Sequence, residues 1–232
     1  MRRVHECRVT RVTAVRIGIL GATGPAGIAL AARLASVGFD VVVGSRSKER
    51  AADVVAGITD RWPGRELPLT PADNHGAASA DVVAVATPWD AAAPVALSVQ
   101  DELDGKIVIC MANALTRMAG HFEPLTPPRG SVSASVQAAV PHCRVAAAFH
   151  HVPATELGNI HHPIESDVLI CSDHPDATEI TAGIVALVPD MRPLDAGRLA
   201  MATPIESFTA VLLQLNQRYK TRVSLKLVGI SE

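Results

Sequence analysis

Seven consecutive residues, Gly21-Ala22-Thr23-Gly24-Pro25-Ala26-Gly27, have the composition and spacing of a loop that receives a diphosphate. The spacing is G-x-x-G-x-x-G rather than the stricter G-x-G-x-x-G, but the physics is shared. Glycines permit a tight turn and a close backbone approach, and the free N–H groups of a helix N-terminus face the anion. Pro25 suits a first helical turn, where its missing N–H costs no bond. A glycine-rich turn can also serve only to pack a helix on a strand. Here the loop sits directly between an apolar strand (15–20) and an Ala/Leu-rich helix (26–37), the context that the dinucleotide mechanism requires.

A second group identifies the nucleotide. A unit that binds NAD places Asp or Glu at the end of its second strand to hold the ribose 2′-hydroxyl. In this chain that strand (40–44) runs out through Ser45-Arg46-Ser47-Lys48, with no acid. A guanidinium can grip a phosphate with two parallel bonds, and an ammonium adds a point charge. Ser45, Arg46 and Lys48 therefore predict NADP(H) rather than NAD(H). Thr87 and Pro88, after the third strand (81–86), should line the cofactor's ribose, with Trp89 flanking the pocket. Asn113, after the fourth strand (106–110), is a further cleft candidate.

Strands and helices alternate around these groups. Helices are expected over 48–58, 90–99 and 132–139, and a fifth strand over 145–149. This alternation predicts an α/β fold: a Rossmann-type, doubly wound parallel sheet with helices on both faces. Residues 59–79 read as irregular, and 118–129 as a proline-rich connection. The pattern changes near His150. Beyond it lie a strand (167–171), a helix (177–187), a turn with Pro189 and Pro193, and a helix (204–218). The expected organisation is an N-terminal extension (1–14), an NADP-binding domain (15–149) and a small α/β C-terminal domain (150–232) that packs on the first.

Composition excludes several classes. A net charge of -2 invites neither nucleic acid nor an anionic membrane. No apolar run reaches the roughly 18 residues of a membrane span, and residues 1–14 lack the apolar centre of a secretory signal. The cysteines Cys7, Cys110, Cys143 and Cys171 lie far apart, which reads as reduced thiols and a cytoplasmic location. The pairs His150-His151 and His161-His162 lack ligand spacing, and neighbours in an extended segment face opposite ways, so no metal is expected. A short-chain dehydrogenase is disfavoured, since the sole tyrosine, Tyr219, is followed directly by Lys220.

From residue 16 to 230 the chain resembles the NADPH:F420 oxidoreductase family (8-hydroxy-5-deazaflavin:NADP oxidoreductases). The resemblance is carried by Ile17-Gly18-Ile19-Leu20-Gly21-Ala22-Thr23-Gly24, by Val43-Gly44-Ser45-Arg46 and by Thr87-Pro88-Trp89. More specific are Ala148-Phe149-His150-His151-Val152-Pro153-Ala154, Arg192-Pro193-Leu194-Asp195-Ala196-Gly197, and Glu206-Ser207 with the helix to Asn216. It implies reversible hydride transfer between NADP(H) and the deazaflavin coenzyme F420, and a homodimer. It also places His150, Val152 and Pro153 beside the deazaflavin, with His150 bonding the ring's polar edge. No catalytic side chain is expected, because hydride passes directly between the two carriers. Arg117 and Arg129 are candidate contacts for the deazaflavin's phosphorylated tail, on charge alone. The alternatives are an NADPH-dependent reductase of ferric ion, flavin or quinone, and a non-catalytic NADP-binding redox sensor.

Overall fold

The computed structural model describes residues 15–230, so the extension expected over 1–14 lies outside the described residues. Strand β1 (Ile17–Leu20) is buried throughout and lies between β2 (Val41–Ser45) and β4 (Val82–Val85). Its side chains alternate between faces, as the pleat requires. Ile17 and Ile19 join one apolar cluster, while Leu20 joins the other on the opposite face. A strand buried on both sides must be apolar without a break, which is why the central strands are legible as short Val/Ile runs.

The sheet has eight strands in the order β10-β9-β8-β5-β4-β1-β2-β3. Edge strand β3 is Leu69–Asp73, β5 is Ile107–Cys110 and β8 is Arg144–Ala147. These six strands, from β3 to β8, are parallel and follow the order 3-2-1-4-5-6 of a doubly wound nucleotide fold. Strand β9 (Ser166–Ser172) pairs antiparallel to β8, and β10 (Met191–Asp195) pairs parallel to β9. The sheet therefore runs on through the change of pattern at residue 150.

Helices α1 (Pro25–Ser36) and α2 (Lys48–Arg61) follow β1 and β2, and the short α3 (Asn74–Ala78) follows β3. Next come α4 (Trp89–Ser98), α5 (Gln100–Leu103), α6 (Val132–Ala139), α7 (Ala154–Leu157) and α8 (Pro175–Ala186). The long α9 (Ala202–Tyr219) ends at Lys220, whose φ of 51 turns the chain back on itself. Residues 221–230 then run as an irregular strap. No helix among the described residues is long and apolar enough to cross a membrane.

Three segments differ from expectation, each for a physical reason. Residues 59–79 contain β3 and α3, and the expected turn at Arg192-Pro193-Leu194-Asp195 is β10. Both strands are sheet edges and both carry a proline, Pro71 or Pro193, which only an edge tolerates. Neither shows the apolar run of a central strand. The connection after Asn113 holds a small hairpin of β6 (Leu115–Met118) and β7 (His121–Pro124). Its two-residue turn, Ala119-Gly120, has positive φ at both positions, the twist that suits paired strands.

Candidate functional site

The carboxyl ends of the parallel strands share one edge of the sheet, and the sequence candidates gather there. Gly21 follows β1 with φ +68, and a Cβ on it would meet Thr87 Cγ2 at 2.3 Å. A Cβ on Gly27 would come within 2.7 Å of Ala22 Cα, so α1 packs against its own loop only because that side chain is absent. Gly24 is the N-cap of α1; no side chain caps it, Pro25 opens the helix, and space in front of Gly24 is open. The first N–H groups of α1 thus face outward from Thr23-Gly24-Pro25-Ala26, as an anion site requires. Ala22 N–H donates to Gly44 O at 2.9 Å, which ties the loop to the end of β2.

Ser45 closes β2 and is buried, whereas Arg46 and Lys48 are exposed. Among the described residues neither cation makes an ion pair or side-chain hydrogen bond. Ser47 caps α2 by accepting from Arg50 N–H. Thr87 is buried with its Oγ1 unpartnered, an oriented hydroxyl with nothing to bond. Pro88 caps α4 and is exposed, and Trp89 packs against the apolar cluster beneath. An open helix N-terminus, an orphaned hydroxyl and two unpaired cations on one edge fit a phosphorylated dinucleotide.

A cavity of about 900 Å³ adjoins this edge. Of the predicted residues it collects Pro25, Asn113, His150, Val152 and Pro153. The rest of the glycine loop, Ser45, Arg46, Lys48, Thr87, Pro88 and Trp89 lie outside its lining, and Pro25 is the one loop residue that lines it. Within the cavity Asn113 Nδ2 donates to His150 O at 3.3 Å, and the Thr209 hydroxyl lies 3.1 Å from both Asn113 Oδ1 and His150 O. Phe149, buried and non-glycine, holds φ 65 to turn β8 into this network. Such strain costs on the order of 1–3 kcal/mol and collects at functional sites.

The His150 ring is buried, and neither ring nitrogen has a hydrogen-bond partner. Burial, and then the neighbouring His151, push its pKa down to about 3. The Met111 backbone opposes that shift, but it makes no aligned bond to the ring. A neutral imidazole offers one donor and one acceptor. His151 is committed elsewhere: its Nε2–H donates to Ile205 O at 2.7 Å.

Several side chains that shape this site carry no local sequence signal. Thr209 reaches the cavity from α9. Asn74, in α3, accepts from Gly21 N–H at 3.4 Å and supports the glycine loop. Buried Arg33 donates to the carbonyls of Glu156, Leu157, Asn159 and His162, fixing the segment behind the cavity wall to α1. Its one clue was a charge in an otherwise apolar helix. Arg117 and Arg129 do not line the cavity; Arg117 lies over the Phe122 ring. Burial pushes the thiols of Cys110 and Cys171 up to about 12 and that of Cys143 to about 11, so all three stay protonated. Among the described residues no three His, Cys, Asp or Glu side chains are grouped for a metal.

Comparison with known proteins gives this geometry relatives. Residues 16–114 match the family described as NADP oxidoreductase, coenzyme F420-dependent. The F420-dependent NADP reductase of Methanothermobacter thermautotrophicus is 30% identical over 221 residues, covering 91% of this chain and 94% of that protein. The protein of the same name from Methanocaldococcus jannaschii is 30% identical over 213 residues, with 90% and 95% covered. A solved structure from Arthrobacter sp. FB24 shares the fold with a TM-score of 0.77 at 21% identity, over 92% of this chain and 99% of that one.

Proposed function

The chain belongs to the family of coenzyme F420-dependent NADP oxidoreductases, and from that membership we propose that it transfers a hydride reversibly between NADP(H) and the deazaflavin coenzyme F420. One observation carries the proposal: the likeness to proteins named for this activity spans about 90% of the chain, including the segments beyond residue 150 that wall the cavity.

The two carriers, when bound, supply the carbons between which the hydride moves. The protein's work is to hold and orient them. Residues Gly21, Ala22, Thr23, Gly24, Pro25, Ala26 and Gly27, with the N-terminus of α1, receive the diphosphate. Ser45, Arg46 and Lys48 receive the 2′-phosphate. Thr87 and Pro88 meet the ribose, and Trp89 backs them. Asn113, His150, Val152 and Pro153 contact the deazaflavin, and Thr209 joins them from α9. Neutral, unpartnered His150 bonds the ring's polar edge, and burial of its imidazole keeps water from that edge. The reduced ring also takes up one proton to balance the hydride, and no side chain is assigned as its general acid or base.

The reading includes a small C-terminal unit (150–232) that completes the deazaflavin site, a homodimer, and a cytoplasmic location. Exposed Phe208, Val211 and Tyr219 on α9, with Met118 on β6, support pairing with a second copy. The buried, unpaired thiols support a reducing compartment.

The decisive experiment mixes the protein, NADPH and oxidised deazaflavin and follows loss of the deazaflavin's visible absorbance. Turnover is expected. No turnover, with reduction of free flavin, quinone or ferric ion instead, would favour another NADPH reductase. NADPH binding without turnover on any acceptor would favour a redox sensor.

A further inference from the structure

The cavity extends well beyond the cluster of Asn113, His150 and Thr209. It follows α1 from Pro25 through Ile28 to Ala32, a run of about 10 Å at the helical rise. Arg61 and Trp62, at the end of α2, and Arg222 and Val223 of the C-terminal strap also line it, and they meet one segment: Trp62 contacts His161, Arg222 pairs with Glu156, and Arg33, next to Ala32, bonds the carbonyls of Glu156 and His162. The two ends differ in chemistry. Around Asn113, His150 and Thr209 the polar groups are neutral and suit the edge of a heteroaromatic ring. At the far end they are guanidinium groups, which suit phosphate and carboxylate.

We propose that the end formed by Arg61, Trp62 and Arg222 is the subsite for the anionic, phosphorylated tail of the deazaflavin coenzyme. This rests on the hydride-transfer reading above and names the part of the substrate that the long arm of the cavity holds. The guanidinium of Arg61 lies over the Trp62 ring, 5.3 Å from its centroid, and makes no ion pair among the described residues. Stacking on an aromatic face holds a guanidinium in place while leaving its N–H edge free for an anion. Trp62 is itself braced by the His161 ring at 4.7 Å. Arg222 pairs with Glu156 at 2.9 Å, but the Arg222 side chain is 59% exposed and that of Glu156 36%, so the pair is open to solvent, weak, and can exchange for a phosphate. Asp53, the one acid in the lining, lies eight residues before Arg61, about 12 Å along α2. Arg117 and Arg129, the candidates by charge alone, stand outside the lining.

Two ligands separate ring from tail: oxidised coenzyme with its phosphorylated tail, and the ribityl deazaflavin without phosphate. Equilibrium binding of each is titrated by deazaflavin fluorescence for the unaltered protein and for Arg61→Ala, Arg222→Ala and Glu156→Gln. Each arginine variant should bind the tailed coenzyme about tenfold more weakly, a difference of about 1.4 kcal/mol, with the phosphate-free ligand unchanged. Glu156→Gln removes the competing carboxylate and should tighten binding of the tailed coenzyme only. Added salt should weaken the tailed ligand more than the other. Equal losses for both ligands, no loss for either, or a tail-specific loss in Arg117→Ala or Arg129→Ala instead, would overturn the subsite alone. If the unaltered protein binds neither ligand, the hydride-transfer reading falls and the subsite with it.

Discussion

Glu206 of α9 holds one carboxylate oxygen 2.8 Å from the Ser133 hydroxyl and 3.0 Å from the Ser133 N–H, while its other oxygen accepts from Val132 N–H at 2.7 Å. A buried carboxylate from one helix thus satisfies the open N–H groups at the start of another, α6. The pair locks α9, which carries Thr209 into the cavity, to the helix following the hairpin.

Glu206→Ala should leave these donors buried and unpaired, at a cost of about 3 kcal/mol, read as a lower urea midpoint. Burial, only partly offset by the three donors, raises the Glu206 pKa above its ordinary 4.5. The folded state then binds the proton more tightly than the unfolded one. Stability from this group is greatest below pH 4.5 and falls as pH rises through the folded value. Glu206→Gln should abolish that slope.

Arg46→Asp should erase the preference for NADP(H) over NAD(H), because a carboxylate would repel the 2′-phosphate and accept from a 2′-hydroxyl. The measurement is the ratio of dissociation constants for NADPH and NADH. An unchanged ratio would remove Arg46 from the 2′-phosphate site. Arg46 is exposed and unpaired, so the fold should survive the change.

His150 should stay neutral across the whole working range, since its pKa lies near 3, and should add no limb to the pH–rate profile near 6.5. Its effect appears in stability instead. The unfolded chain takes up a proton near pH 6.5 that the folded chain refuses, so stability is full above 6.5 and falls as pH drops toward 3. His150→Gln should flatten that loss by up to about 1.4 kcal/mol per pH unit, seen by comparing urea unfolding at low and neutral pH. His151, also lowered by burial, accounts for part of the remaining slope.

The strap depends on Asp167 and Arg192. Asp167 accepts from Arg192 Nε at 2.9 Å, from Nη2 at 2.7 Å and from Leu227 N–H at 2.6 Å, while Arg192 also donates to the Leu227 and Ile230 carbonyls. Asp167→Asn should loosen residues 224–230, detected as faster amide exchange there, and should weaken the tailed deazaflavin through Arg222. The Arg192 bonds hold the Asp167 carboxyl below its ordinary 3.8. Stability from this group is full above pH 3.8 and is lost as pH falls through the folded value.

The parallel centre of the fold was legible because burial on both faces demands unbroken apolar strands, as in β1, β2, β4 and β5. The edges were not. Pro71 and Pro193 read as turns, and only pairing with β2 and β9 makes their segments strands. At the site, Gly21 to Gly27 and Ser45 to Lys48 are contiguous motifs, the first reading through its backbone and the second through its side chains, so their types and order suffice to imply a phosphorylated dinucleotide.

The cavity belongs to tertiary structure. Asn113, His150 and Thr209 come from three segments 37 to 96 positions apart, joined by bonds that no local pattern encodes. Arg33 and Glu206 are buried charges whose partners are backbone groups and, for Glu206, also the Ser133 hydroxyl, which sequence does not distinguish. Arg61 and Arg222 come to line one cavity because Lys220 turns the chain back along α9. Local chemistry was enough to imply the nucleotide half of the protein. Long-range packing decided the other half, because a cavity wall is a property of elements brought together and not of any one of them.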